Sequence, residues 1–314
     1  MLENFKLAKF ELVLTPKKTL FLPEYVGSAL RGNLDSSFRQ IVCFNRKISC
    51  KDCLLKERCI YSYIFETSPP ESLGKLWKNT DIPRPFIVEP PLDGRREYKR
   101  GELLKLGFIL IGRAIDYLPY FVLAFKELGS IGLGGERNKY SLGSVNSNGQ
   151  VVYSSKEEVI KGIGRIVSFA DILQGAAGNY PKDKLGINFL TPTRLKFEER
   201  CILTPEFHIV LRNLLQRISF LSYFHCQEEF IFDFKEMIER ARWVRIEEDE
   251  TRWWDWERYF RRHDTRRRLG GIMGRVTYIG DFESFLPLIL LGRYVHVGGG
   301  ATFGLGRYTI EAGP

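Results

Sequence analysis

Long apolar runs are missing from this sequence of 314 residues. Its two richest stretches, YLPYFVLAF and FLPLILLG, reach about half of the roughly 18 residues that a membrane helix needs, and each contains a proline. The N-terminal stretch MLENFKLAKFELVL alternates apolar and charged residues, and it lacks the apolar core and the cleavage site of a signal peptide. We therefore expect a soluble, cytoplasmic protein with no membrane partner.

Acidic residues are the minority among the charged residues. The chain has 47 Lys and Arg against 38 Asp and Glu, a net charge of +9, which suits an anionic partner and makes nucleic acid the first candidate. In a reducing cytoplasm, the six cysteines are expected to be thiols or metal ligands rather than a disulfide framework. Hydrophobic residues make up 44% of the chain, which is enough for a full core, and the length favours two domains.

An internal repeat indicates how the chain is organised. The segments YLPYFVLAFKELGSIGLGGERNKYSLGSV (117–145) and FLPLILLGRYVHVGGGATFGLGRYTI (285–310) share one order of features. Each has Leu-Pro at the start of an apolar helix, then a glycine cluster, a basic residue, a tyrosine and a short strand. Each half of the chain also opens with a strand followed by a helix, which we predict to begin near Pro23 and at Pro205.

Two more strand candidates complete each half. They are RPFIVEPP and LLKLGFILIG in the first half, and RWVRIEE and GGIMGRVTYIG in the second half. The order β-α-β-β-α-β is that of a ferredoxin-like domain, in which both helices lie on one face of an antiparallel sheet. We predict an α+β protein with two tandem ferredoxin-like domains, 1–153 and 185–314, each with a glycine-rich loop before its last strand. A Cys-rich insertion at about 43–59 interrupts the first domain, and a linking helix lies within 154–184.

The end of the chain resembles a known family. The loop GGGATFGLGRY before the final strand, with RRRLGGIMGRVTY upstream, is similar to the CRISPR-associated endoribonucleases that process precursor crRNA. These enzymes belong to the repeat-associated mysterious protein (RAMP) superfamily. The match is better from about Leu185 to the end. The first half matches in the order of its strands and helices more than in its residues. The resemblance implies RAMP, RRM-like domains that bind CRISPR repeat RNA. It also implies cleavage without a metal cofactor, in which the RNA 2′-hydroxyl attacks the adjacent phosphate and leaves a 2′,3′-cyclic phosphate and a 5′-hydroxyl.

The glycine-rich loop near the C-terminus is the first candidate for contact with RNA. Backbone without Cβ atoms can bring its N–H groups close to phosphate oxygens, and Arg293 and Arg307 add positive charge on either side. The alternative is a tight helix-to-strand crossover that needs glycine for positive φ and binds no ligand. The glycines are Gly298, Gly299, Gly300, Gly304 and Gly306.

The segment RWWDWERYFRRHDTRRRLGG (252–271) is the second candidate. Arginines offer bidentate contacts to phosphates, and aromatic rings stack on unpaired bases. The alternative is an exposed loop whose tryptophans are anchored in the core. So many neighbouring positive charges repel one another unless a polyanion is bound, and this favours RNA binding. The arginines are Arg258, Arg261, Arg262, Arg266, Arg267 and Arg268.

Histidine is absent where the resemblance implies a catalytic one. Many family members use a histidine at or just after the first helix, whereas LPEYVGSALRGNLDSSFRQIVCFNRK contains none. This segment offers Tyr25, Arg39 and Lys47 instead, and the second half adds His263 and His296. We predict that the general acid, the general base and the charge-stabilising cation come from these five residues, with His296 first among them.

The remaining histidines, His208 and His225, are interpreted as a surface residue and a structural residue of one helix. The alternative function is a non-catalytic RAMP subunit that holds crRNA in an effector complex with other CRISPR-associated proteins.

The Cys-rich insertion CFNRKISCKDCLLKERC has the spacing C-x6-C-x2-C-x5-C, with Cys43, Cys50, Cys53 and Cys59 as its cysteines. Four thiolates complete a tetrahedral shell for Zn²⁺, and an iron–sulfur cluster is the second candidate. The site would be structural, because a closed shell leaves no position for a reacting water. Disulfides or four free thiols are the alternatives.

Overall fold

The computed structural model describes residues 2–68, 81–133, 137–176, 180, 183–198, 200–260 and 265–312, and of residues 256–260, 265–269 and 312 only the backbone. The chain forms two compact units. The N-terminal unit comprises Asn4–Val167 and Phe220–Gln227, and the C-terminal unit comprises Met1–Glu3, Ser168–Ser219 and Glu228–Pro314. Within the described residues, no helix is both long and apolar enough to cross a membrane.

The N-terminal unit is built on an antiparallel sheet. Its elements in chain order are β1 (Lys6–Pro16), β2 (Leu20–Phe21), α1 (Val26–Val42), α2 (Ile60–Phe65), β3 (Phe86–Glu89), β4 (Glu97–Tyr98), β5 (Leu104–Ile111), α3 (Leu118–Ile131), β6 (Tyr140–Ser147), β7 (Gln150–Ser154) and β8 (Ile166–Ser168). The sheet order is β3-β5-β1-β6-β7, and β8 also pairs with β1. A separate two-stranded sheet joins β2 and β4.

Period-two alternation along β1 decides which face of this sheet is covered. Phe10 and Leu12 are fully buried, and in the register they stand opposite Phe108 and Leu106 of β5. The ring of Phe108 lies 4.9 Å from that of Phe121, on α3. Apolar residues at helical spacing on α1, including Leu30 and Leu34, join the same core, so burial of one helix stripe on one sheet face holds the unit together.

The C-terminal unit repeats this plan. Its elements are α4 (Phe169–Ala176), β9 (Lys184–Thr193), β10 (Lys196–Phe197), β11 (Arg200–Cys201), α5 (Phe207–Cys226), α6 (Phe234–Ala241), β12 (Arg245–Asp249), β13 (Arg252–Phe260), β14 (Thr265–Ile279), α7 (Leu286–Val295) and β15 (Tyr308–Ala312). The sheet order is β12-β14-β9-β15, and β13 pairs with the first half of β14. The last residues of α5, from Phe220, group with the N-terminal unit.

The predicted fold class is confirmed. In each sheet, the first strand of the β-α-β-β-α-β series lies between the third and the fourth, and the second strand pairs with the third. This is the strand order of a ferredoxin-like domain. Asp233 caps the start of α6, because its carboxylate accepts a hydrogen bond of 2.8 Å from the backbone N–H of Glu236.

The linking helix predicted within 154–184 is wrong for most of its length. Residues after Ser154 form turns and the short strand β8, and the helix α4 covers only Phe169–Ala176. Gly164 has φ of +75°, and a Cβ there would press against Phe10 and Ser147, so the chain packs closely on β1 and β6 where a helix was expected. The cap of α4 is Ser168, whose Oγ accepts a hydrogen bond of 3.1 Å from the N–H of Asp171.

Candidate functional site

The glycine-rich loop folds back on the end of β9. Val297 and Gly306 are joined by a hydrogen bond of 3.0 Å from the N–H of Val297 to the Gly306 carbonyl, and the Gly306 N–H donates to Pro192 at 3.1 Å. Gly298 and Gly306 have φ of +78° and +73°, and a Cβ on either would collide with a backbone carbonyl, of Arg194 and Val297 respectively. Most of the loop's glycines are therefore required by its own conformation.

Gly299 is different from its neighbours. It is exposed, it is absent from the residues with positive φ, and a Cβ there would meet only Arg194, at 3.9 Å. Its N–H donates to the Arg194 carbonyl at 3.0 Å. The loop's fold would accept a side chain at this position, so an exposed glycine here favours the close approach of a ligand to the backbone.

Thr191 fixes the far side of the loop, and sequence analysis missed it. Its buried hydroxyl donates to the Gly304 carbonyl at 2.8 Å and accepts a hydrogen bond from the Arg307 N–H at 2.9 Å. At the other end, Nη1 of Arg293 donates to the hydroxyl of Tyr180 at 2.9 Å. The two flanking arginines predicted to bind RNA are thus both anchored in the C-terminal unit, and both are half-buried.

His296 is fully buried within the loop. It ends α7 with φ of +62°, and its Nδ1 lies 3.0 Å from the Leu305 carbonyl, so Nδ1 carries the proton and donates. This environment suits a residue that shapes the loop. It argues against proton transfer to a substrate, the role for which the sequence placed His296 first.

Arg217 is a second buried polar residue next to the loop, and it was not predicted. Its Nε donates to the Val295 carbonyl at the end of α7, at 2.6 Å, and its Nη2 has no hydrogen-bond partner among the described residues. Burial lowers the pKa of the Arg217 guanidinium to about 10. The sequence contains a signal, because Arg217 interrupts the apolar stripe of α5 between Leu214 and Leu221.

The arginine-rich segment forms a β-hairpin of β13 and β14, not the exposed loop considered as the alternative. In the register, Arg258 stands opposite Arg267, and Tyr259 opposite Arg266. Like charges directly opposite each other on paired strands are destabilising, which favours a hairpin whose function involves a polyanion. Arg268 pairs with a glutamate position, Glu257. Arg261, Arg262 and His263 lie outside the described residues.

The first-helix candidates have different environments. Tyr25 is buried at the N-cap of α1. Arg39 donates to the carbonyls of Arg46 (3.3 Å) and Ile48 (3.1 Å), so it holds the Cys-rich insertion against the helix. Lys47 is exposed, and it is the candidate of the three whose side chain is open to a ligand.

The other histidines are held by neighbouring groups. His225 is buried, with Nε2 2.8 Å from the Pro83 carbonyl and Nδ1 3.1 Å from the Tyr63 hydroxyl, which agrees with a structural role. His208 lies 3.4 Å from Glu206 and packs against Phe197, and burial lowers the pKa of its imidazole.

The Cys-rich insertion holds free, half-buried cysteines: Cys43, Cys50, Cys53 and Cys59. Among the described residues, no group of three or more His, Cys, Asp or Glu is placed to hold a metal ion. The zinc site therefore stays a prediction. Burial raises the pKa of the Cys50 thiol, and Arg39 opposes this shift.

Two family models match the chain. Residues 5–163 match AF_1859_N, described as an N-terminal domain, and residues 187–308 match the CRISPR-associated endoribonuclease Cas6. A search of curated proteins found no match.

Solved structures share the fold. A Cas6 product complex matches with a TM-score of 0.58 and 16% identity, covering 97% of this chain and 100% of the other. Thermus thermophilus Cas6 matches with a TM-score of 0.55 and 16% identity, covering 98% of this chain and 99% of the other. A chain of a partial Cas6-RT-Cas1–Cas2 complex matches with a TM-score of 0.57 and 15% identity, covering 98% of this chain and 46% of the other. The sheet and loop that form the candidate site thus lie within the region that matches the Cas6 family model, and the whole chain shares the fold of solved Cas6 structures.

Proposed function

We propose that this protein binds CRISPR repeat RNA and cuts it at one position by attack of an RNA 2′-hydroxyl on the adjacent phosphate. The observation that carries the proposal is the Cas6 match over 187–308, which contains both the exposed backbone at Gly299 and the arginine hairpin. These two features lie in one unit, and both suit the RNA backbone: one lets it approach the loop without meeting a side chain, and the other gives positive charge.

The reaction needs no metal. A general base takes the proton of the 2′-hydroxyl, a general acid protonates the 5′-oxygen that leaves, and a cation stabilises the charge that builds up on the phosphate. The products are a 2′,3′-cyclic phosphate and a 5′-hydroxyl. We assign these tasks to Lys47, Arg39, Tyr25 and His263, with Lys47 first because its side chain is exposed and basic.

A non-catalytic subunit that holds crRNA is the second candidate function. Two observations favour it: the first helix and the residues just after it contain no histidine, and His296 is buried and bonded to a carbonyl. In this case the partners would be crRNA and other CRISPR-associated proteins. The fold likeness to a chain of a Cas6-RT-Cas1–Cas2 complex is consistent with partners of that kind.

One experiment separates the two functions. The protein is mixed with labelled RNA of the CRISPR repeat next to its gene, with EDTA added at the start of a short reaction. We expect one fixed-length product with a cyclic phosphate end. The control RNA carries a single 2′-deoxynucleotide at the cleaved position, and it should bind but stay intact. Tight binding of the unmodified RNA without any cleavage would establish the second function instead.

A further inference from the structure

The Cys-rich insertion, residues 43–59, lies between α1 and α2 with its apolar side chains outward. It runs through two short 3-10 turns, Cys50–Asp52 and Lys56–Arg58, and neither contains a buried residue. Leu54 is fully exposed and Phe44 is 87% exposed, and Leu55 is also exposed. This segment therefore has no hydrophobic core that could fix its conformation.

The cysteines are the side chains that this segment turns inward. Cys43, Cys50, Cys53 and Cys59 are each half-buried, whereas most of the residues between them are exposed. The segment thus shields its four thiols while its leucines are exposed, and Cys50 and Cys59 pack against the core of the N-terminal unit.

The backbone gathers these cysteines. The N–H of Cys53 donates to the Cys50 carbonyl at 3.4 Å, and the Cys53 carbonyl accepts from Lys56 at 3.0 Å, so the C-x2-C pair lies in one tight turn. Cys43 ends α1, and Cys59 caps the start of α2. Cys50 and Cys59 both pack against the hydrophobic core of the N-terminal unit. In the chain, the outer cysteines thus lie at helix ends on either side of the turn that carries the inner pair.

The insertion is rich in basic residues. Arg39 donates hydrogen bonds to the carbonyls of Arg46 and Ile48, so its guanidinium lies against the insertion. Basic residues also occur along the whole length of the insertion: Arg46, Lys47, Lys51, Lys56 and Arg58. These cations would offset the net negative charge of a metal centre with four thiolates.

We propose that Cys43, Cys50, Cys53 and Cys59 bind one Zn²⁺ as thiolates, in a structural site that holds the insertion closed. The four thiol protons pass to solvent on binding, and no oxidant or reductant is needed. Four sulfurs complete the tetrahedral shell that Zn²⁺ prefers. Because no such group is assembled among the described residues, the ion would draw the two turns together, and binding is coupled to the ordering of the insertion.

Metal content is the first test. The full chain is made without a histidine tag, incubated with Zn²⁺ and desalted, and its metals are measured by inductively coupled plasma mass spectrometry. We expect about one zinc per chain, and its loss in the Cys50→Ser/Cys53→Ser variant. Cys201→Ser is the matched control, since Cys201 is a lone exposed cysteine of the C-terminal unit, and it should keep the zinc. A wild-type chain without zinc, or with iron and labile sulfide in its place, overturns the proposal.

Limited trypsin digestion is the second test, and it is independent of RNA. The exposed lysines and arginines of the insertion are trypsin sites, so the cutting rate there reports whether the insertion is closed. We expect slow cutting with zinc, at least tenfold faster cutting after a strong chelator, and recovery when Zn²⁺ is restored. The serine double variant should be cut fast under all conditions. Equal rates with and without zinc, or disulfides among these cysteines in non-reducing mass spectrometry, would contradict the site while leaving the RNA function standing.

Discussion

Arg217 shows how a single buried charge supports the candidate RNA-binding loop. Its guanidinium is enclosed in the C-terminal unit and donates to Val295, the last residue of α7, at 2.6 Å. The carbonyls at a helix C-terminus lack intrahelical partners and carry partial negative charge, so a cation there both satisfies a carbonyl and favours the helix dipole. The glycine-rich loop begins directly after this point.

We expect Arg217→Ala to lower the free energy of unfolding by about 2–4 kcal/mol, because it leaves a cavity and a carbonyl without its donor. Arg212→Ala is the matched control. Arg212 lies on the same helix but is exposed, between the rings of Phe197 and Phe234, so its loss should cost about 0.5–1 kcal/mol. Urea denaturation measures both. Equal losses in the two variants would mean that Arg217 does not hold the end of α7.

The role of His296 can be tested by measuring its effect on folding stability separately from its effect on RNA cleavage. At φ of +62°, asparagine is better tolerated than alanine, and its side-chain amide keeps a donor. We therefore expect His296→Asn to be more stable than His296→Ala, and we expect its folded fraction to cut RNA at close to the wild-type rate. Stopped cleavage in a fully folded His296→Asn protein would restore the proton-transfer role that the sequence suggested.

At the scale of elements, the glycine-rich loop combines residues needed for folding with one available for binding. We expect Gly299→Val to keep native circular dichroism and the wild-type unfolding midpoint, but to weaken RNA binding, because the new side chain stands where the RNA backbone would approach. Gly306→Ala is the contrasting variant. Its Cβ would collide with the Val297 carbonyl, so it should lower stability by more than about 1 kcal/mol. If Gly299→Val unfolds the protein, the loop is only a structural crossover.

The β13–β14 hairpin should supply much of the salt dependence of RNA binding. Plots of log K against log[salt] should fall steeply for the wild type, and Arg266→Ala/Arg267→Ala should flatten the slope by about one to two units. Arg275→Ala is the control on the same strand. Arg275 lies 3.4 Å from Glu311, so its charge is locally balanced and its removal should leave the slope nearly unchanged. An unchanged slope in the double variant would exclude the hairpin from the interface.

For the whole molecule, the sequence predicted the architecture better than it predicted the site. The repeated strand and helix order was enough for both sheets, because apolar periodicity decides which faces are buried. β13 was missed because its run of tryptophans and arginines lacks the alternation typical of strands. The burial of His296 and Arg217 depends on a positive φ and on packing between distant segments, and a local pattern contains neither. A polar residue inside the apolar stripe of a helix, such as Arg217 on α5, is the sequence signal that indicates a buried polar side chain.

The proposed catalysis would have to proceed without a histidine on the first helix. Among Lys47→Ala, Arg39→Ala, Tyr25→Phe and His263→Ala, at least one should lower the cleavage rate at saturating RNA by about a hundredfold while binding is kept, as lost proton transfer does. We expect this of Lys47→Ala, since Lys47 is exposed and Tyr25 is buried. Lys47→Arg keeps the positive charge and should retain more activity than Lys47→Ala if Lys47 stabilises charge on the phosphate. If all four variants cut at the wild-type rate, the assignment of these groups is wrong. If the wild type binds without cutting, the chain is a crRNA-binding subunit and Lys47 is one of its phosphate contacts.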